Sequence, residues 1–313
     1  MKIATIIPAY KSKFIASLLT SLLLQTRAPD CILISDDSKN DEYSDSLKEF
    51  RHLLDNRNVT LISGPKSGGY RNTLHLIEQL GSDIDLVHLM MDDDLLYPTF
   101  YEQHLSLHAH LSTMCTVSKR WVANETGLPI SSPNLPAQIK ASKDRLFLVS
   151  RADLMETTIP SMNNWLGEFS NMVIRKETLK GFFLKLELAG MRVDGLEDLG
   201  AMLAAANRSP IIFINEALGC FRLNESQNSQ NLAGAPMKRS HLSWVILAIL
   251  GSREGFLSGE KTIKSYQVAG AKIAKTYATE PDMYPFIQLI DHLIKRTPDA
   301  ENRFIQTWHN YLA

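Results

Sequence analysis

An α/β fold with a C-terminal helical region is predicted for this chain, and three observations predict it. Short apolar runs rich in β-branched residues alternate with helix-like stretches through the first 112 residues. Three of the predicted strands end in polar clusters, Pro8–Lys11, Asp36–Asp41 and Asp92–Asp94. In parallel sheets, ligands bind outside such C-terminal strand ends. From about Met237 the strand-like runs cease and the pattern becomes helical to the end.

Lys2–Pro8 reads as a buried strand by its β-branched content, and Ser12–Gln25 repeats leucines at helical spacing. Cys31–Ser35 is a second strand, followed by a helix over Asp41–Leu54 with Leu47, Phe50 and Leu54 on one stripe. Val59–Ser63 is a third strand, and Tyr70–Leu80 a helix carrying Leu74, Ile77 and Leu80. Leu86–Met91 is a fourth strand, with a further helix starting near Thr99. Short connections between such units imply a Rossmann-like, mostly parallel sheet covered by helices on both faces. After residue 112 the pattern changes: a strand over Thr113–Ala123, then a loop over Glu125–Ser142 with Pro129, Pro133 and Pro136. Gly167–Ile174 and Ile211–Ile214 read as strands separated by a helix that begins near Glu197. Phe304, Trp308 and Tyr311 follow i, i+4, i+7 spacing and form a packing face. The expected division is one domain over 1–236, with halves 1–112 and 113–236, followed by helices over 237–313.

Charge narrows the function classes. Against 33 Lys+Arg stand 34 Asp+Glu, a formal charge of −1, which gives no general attraction for nucleic acid or anionic membrane. Apolar residues at 44% and charged residues at 21% suit a globular chain with an ample core. The apolar run Trp244–Leu250 is far shorter than the roughly 20 residues a spanning helix needs, which leaves peripheral contact as the available membrane mode. The N-terminal run meets Pro8 too early for a signal peptide, and Cys31, Cys115 and Cys220 share no CxxC spacing. A cytoplasmic protein with reduced cysteines is expected, its C-terminal helices being candidates for pairing in a homo-oligomer.

The sharpest chemical feature is Met90–Pro98, MMDDDLLYP. Three adjacent carboxylates after an apolar strand repel one another, and a divalent cation relieves that repulsion. On an extended backbone Asp92 and Asp94 point to the same side, where their oxygens suit Mg²⁺ or Mn²⁺. A loop that only caps the next helix needs one carboxylate, not three. The second acidic cluster, Ser35–Asp41, would be an ordinary turn were it not at a neighbouring strand end. Between the two lies Gly64–Asn72, GPKSGGYRN, where Gly68 and Gly69 permit close backbone approach and Lys66 and Arg71 offer charge for phosphate. His104 and His108 share a helix face, but no HExxH or nearby cysteine completes a metal site, so a packed or solvated face is expected.

These segments, in this order, resemble the family 2 glycosyltransferases, which have the GT-A fold. The matching stretches are Ile6–Lys11, Ile32–Asp41, Gly68–Asn72 and Met90–Pro98, then Phe169–Leu179, Gly195–Leu203 and Phe221–Ser229. The resemblance implies that Pro8, Ala9 and Tyr10 line a nucleobase pocket and that Asp36 accepts a hydrogen bond from uracil. It implies that Arg71 and Asp93 lie at the nucleotide-sugar, while Asp92 and Asp94 match the D-x-D carboxylates that meet ribose and metal–diphosphate. Glu197–Asp198 is similar to the family's E-D pair, whose aspartate is the general base. Arg222 falls in the R-x-H block that closes over the diphosphate. Two positions depart from the pattern: Ser38 stands for a glycine, and Asn224 for the histidine, which alters how the closing loop engages a metal.

Residue chemistry supports the same site. Expulsion of a diphosphate is eased by a divalent cation, and the acceptor hydroxyl needs a base on the opposite face of the sugar. Asp198, at a helix start, fits that base. One direct displacement inverts the anomeric centre. The expectation is a metal-dependent inverting transferase moving a sugar from a nucleotide-sugar, UDP-linked by preference, to a carbohydrate, lipid-linked or protein acceptor. Bacterial surface-glycan assembly is the setting by analogy. Two rivals are a sugar-nucleotide nucleotidyltransferase, which would normally carry a glycine-rich loop after the first strand, and a non-catalytic nucleotide-sugar-binding scaffold, which Asn224 keeps open.

Overall fold

A computed structural model describes residues 1–55, 57–225, 227 and 231–313. Of the last block resembling the family, Ser226, Asn228 and Ser229 lie outside the described residues. The chain forms two compact units, each discontinuous in sequence. The first holds Met1–Val149, Leu166–Leu184 and Ala205–Asn224, and the second Ser150–Trp165, Lys185–Ala204 and Glu225–Ala313.

The strands in chain order are β1 (Ile3–Ala9), β2 (Cys31–Asp36), β3 (Val59–Ser63), β4 (Leu86–Leu89), β5 (Leu95–Leu96) and β6 (Cys115–Ala123). Then come β7 (Pro129–Ser131), β8 (Leu146–Val149), β9 (Met172–Arg175), β10 (Glu187–Leu188), β11 (Met191–Arg192) and β12 (Ile211–Arg222). Ten of them make one sheet in the first unit, in the order β3-β2-β1-β4-β9-β6-β12-β5, with β7 on β6 and β8 on β12. The first four strands run parallel, with Ala9 opposite Asp36 and Ile6 opposite Leu89. Their C-terminal ends therefore share one edge, and all three polar clusters lie along it. Beneath them Ile3, Ile7, Ile34, Leu86 and Met90 pack on Ile15, Leu18, Leu19 and Leu22 of the helix Ile15–Leu23. Full burial of each such side chain contributes about 1.5–3 kcal/mol.

The sheet is mixed, not mostly parallel. β9 runs antiparallel between β4 and β6, and β5, β7 and β8 are also antiparallel to their partners. Hydrophobic periodicity tells which residues lie in strands but not their direction, so the first half's alternation could not reveal this. β12 extends well past the expected Ile214, because register shifts beside Asn215 and Glu216 let pairing with β6 resume. The helix expected over Asp41–Leu54 is a chain of short turns entered through left-handed Asn40 and Asp41. The loop Glu125–Ser142 contains β7 and a short helix, Ala137–Ala141.

His104 and His108, on the helix Phe100–His110, are packed, as their spacing suggested. His104 Nδ1 lies 2.6 Å from Thr116 Oγ1 and His108 Nε2 3.3 Å from Val173 O. Burial lowers both pKa values, that of His108 to about 4, and keeps the rings neutral.

In the second unit the helix Arg151–Thr158 starts on a Ser150–Asp153 capping box. The tail forms four helices, Ala235–Arg253, Gly259–Tyr277, Tyr284–Ile294 and Ala300–Leu312. Phe304 and Trp308 are fully buried, and Trp308 Nε1 donates to Arg192 O at 2.9 Å. Tyr311 is half-buried with its ring 5.4 Å from Phe286. The stripe packs as its spacing indicated. Among the described residues no helix is long and apolar enough to cross a membrane.

Candidate functional site

β4 stops at Leu89, and Asp92 and Asp93 occupy a turn rather than extended chain. The extended-chain geometry expected to put Asp92 and Asp94 on one side is therefore absent, and each carboxylate meets partners of its own. Asp92 Oδ2 accepts from the backbone N–H groups of Tyr10 and Lys11, both at 2.7 Å, which ties the end of β1 to the turn. Asp93 Oδ2 accepts from Lys11 Nζ at 2.5 Å and from Asn224 Nδ2 at 2.9 Å. Asp94 Oδ1 accepts from the Arg222 N–H at 2.9 Å, across 128 residues of chain.

Arg222 closes the arrangement from the end of β12. Its Nε donates to Asp93 O at 2.7 Å, Nη1 to Glu125 O at 2.8 Å and Nη2 to Ser17 Oγ at 3.0 Å. The guanidinium also lies over the Phe14 ring, 4.5 Å from its centroid. Sequence spacing suggested Arg222 only through the resemblance, and Lys11, Ser17 and Glu125 carried no signal of their own as its companions.

The site is short of positive charge. All three carboxylates are buried, and among the described residues Asp94 Oδ2 has no partner at good hydrogen-bond geometry, the Ser170 hydroxyl being the polar group beside the carboxylate. Burial, then the neighbouring Asp93 charge, pushes Asp92 up to about 6; the same two causes push Asp94 up as well. An orphaned buried oxygen beside a surplus of carboxylate is what a cation would satisfy. Yet among the described residues no three His, Cys, Asp or Glu side chains converge on one point. The donor set thus fits a hard cation that draws most of its oxygen ligands from elsewhere, as diphosphate-bound Mg²⁺ or Mn²⁺ does.

Along the same strand-end edge, Asp36 is fully buried and accepts from the N–H and hydroxyl groups of both Ser38 and Ser44. It holds the loop after β2 rather than presenting an open oxygen, so a uracil contact through it, as the resemblance implies, is not prepared here. Asp37 accepts from the N–H of Lys66 and, at 3.0 Å, of Gly68. Lys66, expected to offer charge for phosphate, is committed elsewhere. Its ammonium donates to Asp36 O at 2.8 Å, Ser38 O at 2.7 Å and Asp41 Oδ1 at 3.0 Å. Gly64 permits this closeness, since a Cβ there would sit 2.8 Å from Asp36 O. Gly68, at φ +89°, has open space around it, and Arg71 and Tyr10 are exposed at the same edge. Ala9 is buried and Pro8 half-buried.

In the second unit, Asp198 lies in the first turn of the helix Glu197–Ala206 and is half-buried. Its Oδ1 accepts from Leu199 N–H at 2.7 Å and its Oδ2 from Asn164 Nδ2 at 2.9 Å. Glu197 Oε1 accepts from Gly195 N–H at 2.8 Å, and burial raises its pKa.

The family model described as glycosyl transferase family 2 matches residues 4–170. S. aureus TarS 1-349 in complex with UDP-GlcNAc aligns at a TM-score of 0.58 and 14% identity, over 100% of this chain and 92% of that one. The same TarS fragment in complex with UDP gives 0.52 at 15% identity, over 100% and 91%. Mannosyltransferase PcManGT from Pyrobaculum calidifontis, in complex with GDP-Man and Mn²⁺, gives 0.54 at 12% identity, over 99% and 87%. At these identities the likeness is one of fold. No curated protein matches the chain.

Proposed function

The chain belongs to glycosyltransferase family 2, and from that premise we propose an inverting, metal-assisted transfer of a sugar from a nucleotide-sugar to a glycan or lipid-linked acceptor in bacterial surface-glycan assembly. The fold on this reading is GT-A, with the donor half in 1–112, the acceptor half in 113–236 and a helical appendage over 237–313. The observation that carries it is the buried Asp92–Asp94 turn, closed by Arg222 and left with the orphaned Asp94 Oδ2.

In this reading Pro8, Ala9, Tyr10 and Arg71 receive the nucleotide at the strand-end edge. Asp94 Oδ2 and the remaining oxygen of Asp92 are the groups that would hold Mn²⁺ or Mg²⁺, and the cation would supply positive charge to the departing diphosphate. Asp93 keeps Lys11 and Asn224 at the turn, so their N–H groups are in reserve for phosphate oxygens. Arg222 fixes the turn's geometry through Asp93 O and Glu125 O. Asp198 takes the acceptor proton as base, its carboxylate oriented by hydrogen bonds from Leu199 N–H and Asn164 Nδ2. Asp36 is assigned to the loop that shapes the base pocket, not to the base itself.

The test is incubation with UDP-GlcNAc, UDP-glucose, UDP-galactose and GDP-mannose plus Mn²⁺. Slow, cation-dependent release of nucleoside diphosphate from one of them is expected. Pyrophosphate-dependent formation of a nucleoside triphosphate would instead identify the nucleotidyltransferase, and binding without release the scaffold.

A further inference from the structure

The helical tail builds a cavity of its own, of about 450 Å³, inside the second unit. It opens where the helix Ala235–Arg253 ends and the helices Gly259–Tyr277 and Ala300–Leu312 begin. Small-molecule sites run from about 300 to 1,000 Å³, so one or two sugar rings is the scale it accommodates.

Its walls are polar, ordered and balanced in charge. Arg253 donates from Nε to Glu301 Oε2 at 2.9 Å and from Nη2 to Asn302 Oδ1 at 2.8 Å. Asn302 Nδ2 donates in turn to Asp299 Oδ1 at 2.7 Å. The buried Tyr266 adds an aromatic surface, its hydroxyl 3.4 Å from Glu301 Oε1. Among the described residues Arg296 makes one long contact, Nη2 to Gly259 O at 3.3 Å, and no ion pair with a carboxylate. Arg296 and Asp299 both hold left-handed backbone, at φ 53° and 62°. Two such non-glycine residues within four positions fix the wall's shape at a cost in backbone energy.

The lining chemistry selects the ligand class. An anion site would need surplus cations, whereas here Arg253 and Arg296 are matched by Asp299 and Glu301. An apolar ligand would leave these polar groups without partners. Amide, guanidinium and carboxylate groups of balanced charge, set in a wall that also holds Tyr266, Ile263 and Leu293, suit a neutral, hydroxyl-rich ring. We propose that this cavity is a second carbohydrate site, which holds a glycan through Arg296, Asp299 and Asn302 independently of the donor site. It stands on the cavity's own residues and goes beyond the transfer reading.

The test uses the full chain with N,N′-diacetylchitobiose, maltose and mannobiose, each read by saturation-transfer NMR and calorimetry with UDP and Mn²⁺ present throughout. One of the three is expected to bind with a Kd of about 0.1–10 mM, the strength of a few hydrogen bonds at an open site. Arg296→Ala and Asn302→Ala should each weaken it about tenfold or more. Donor hydrolysis should stay unchanged in both variants, so failure of this site and failure of the transfer reading are distinguishable. Three results would overturn the proposal: no binding of any of the sugars, binding indifferent to both substitutions, or Arg296-dependent binding of inorganic phosphate in place of sugar.

Discussion

Two clusters of charge, one in each unit, use the same residue types to opposite ends. In the second unit Lys238 has a side chain 9% exposed and donates to Glu280 Oε2 and Asp282 Oδ1, each at 2.8 Å. Burial works against both charges, but the hydrogen bonds between them prevail, raising Lys238 and lowering Asp282. In the first unit three buried aspartates share Lys11 and Arg222, and among the described residues Asp94 Oδ2 has no partner at good hydrogen-bond geometry. There burial prevails, and Asp92 and Asp94 are pushed up. A buried charge that is paired serves the fold, whereas one left short of a counter-charge costs stability and is kept for a ligand.

The comparison breaks most decisively at Asp94. Asp94→Ala should lower transfer by about three orders of magnitude or more, since cation and diphosphate lose their anchor. It should also abolish the gain in UDP affinity on adding Mn²⁺, as measured by calorimetry, without lowering the melting temperature of the cation-free protein. A large drop in melting temperature would mean that Asp94 is structural after all. Asp198→Asn should reduce transfer by about two to four orders with donor affinity nearly unchanged. Near wild-type transfer in that variant would move the base elsewhere.

Smaller effects sharpen the contrast. Asp92 has a folded pKa of about 6, above its unfolded value, so its stabilising contribution is present at acid pH. That contribution is lost as pH rises through about 6, and its size is at most about 3 kcal/mol. Asp282 is lowered, so its contribution is present above the ordinary aspartate pKa and is lost as pH falls. Denaturant titrations across pH 4–8 should show a smaller falling component in Asp92→Asn than in wild type, the remainder coming from Asp94 and Glu197, which are also raised, and Mn²⁺ affinity should climb over the same window as protons leave. Lys238→Ala should cost about 1–3 kcal/mol, discounted because Glu280 and Asp282 remain partly exposed, and should leave the rate of donor hydrolysis alone.

Much of this was legible beforehand where pattern and chemistry are local. MMDDDLLYP at a strand end, the β-branched run before Pro8, and the Phe304–Trp308 stripe each carried their meaning within a few residues. What could not be read depended on partners far along the chain. Asp36 looked like an open acceptor because nothing in Ser35–Asp41 announces that Ser44 returns to cap it. Lys66 looked like a phosphate ligand because spacing does not show that left-handed backbone turns its ammonium onto Asp36 O and Ser38 O. The direction of β9, and the turn at Asp92 and Asp93, are tertiary outcomes to which periodicity is blind.

Arg222 also determines when the donor site can exist. It reaches Asp93, Asp94, Glu125 and Ser17 from the last strand of the first unit, across as many as 205 residues. Contacts of such long sequence separation form late, after the loops they close have been ordered. On the ribosome the three aspartates emerge long before their arginine, and until β12 docks Asp94 Oδ1 lacks the Arg222 N–H. A piece of chain ending at residue 170 would hold the whole family-matched region, and every one of those aspartates, yet no assembled site. On the proposed reading, transfer therefore waits for β12, the last strand of the first unit.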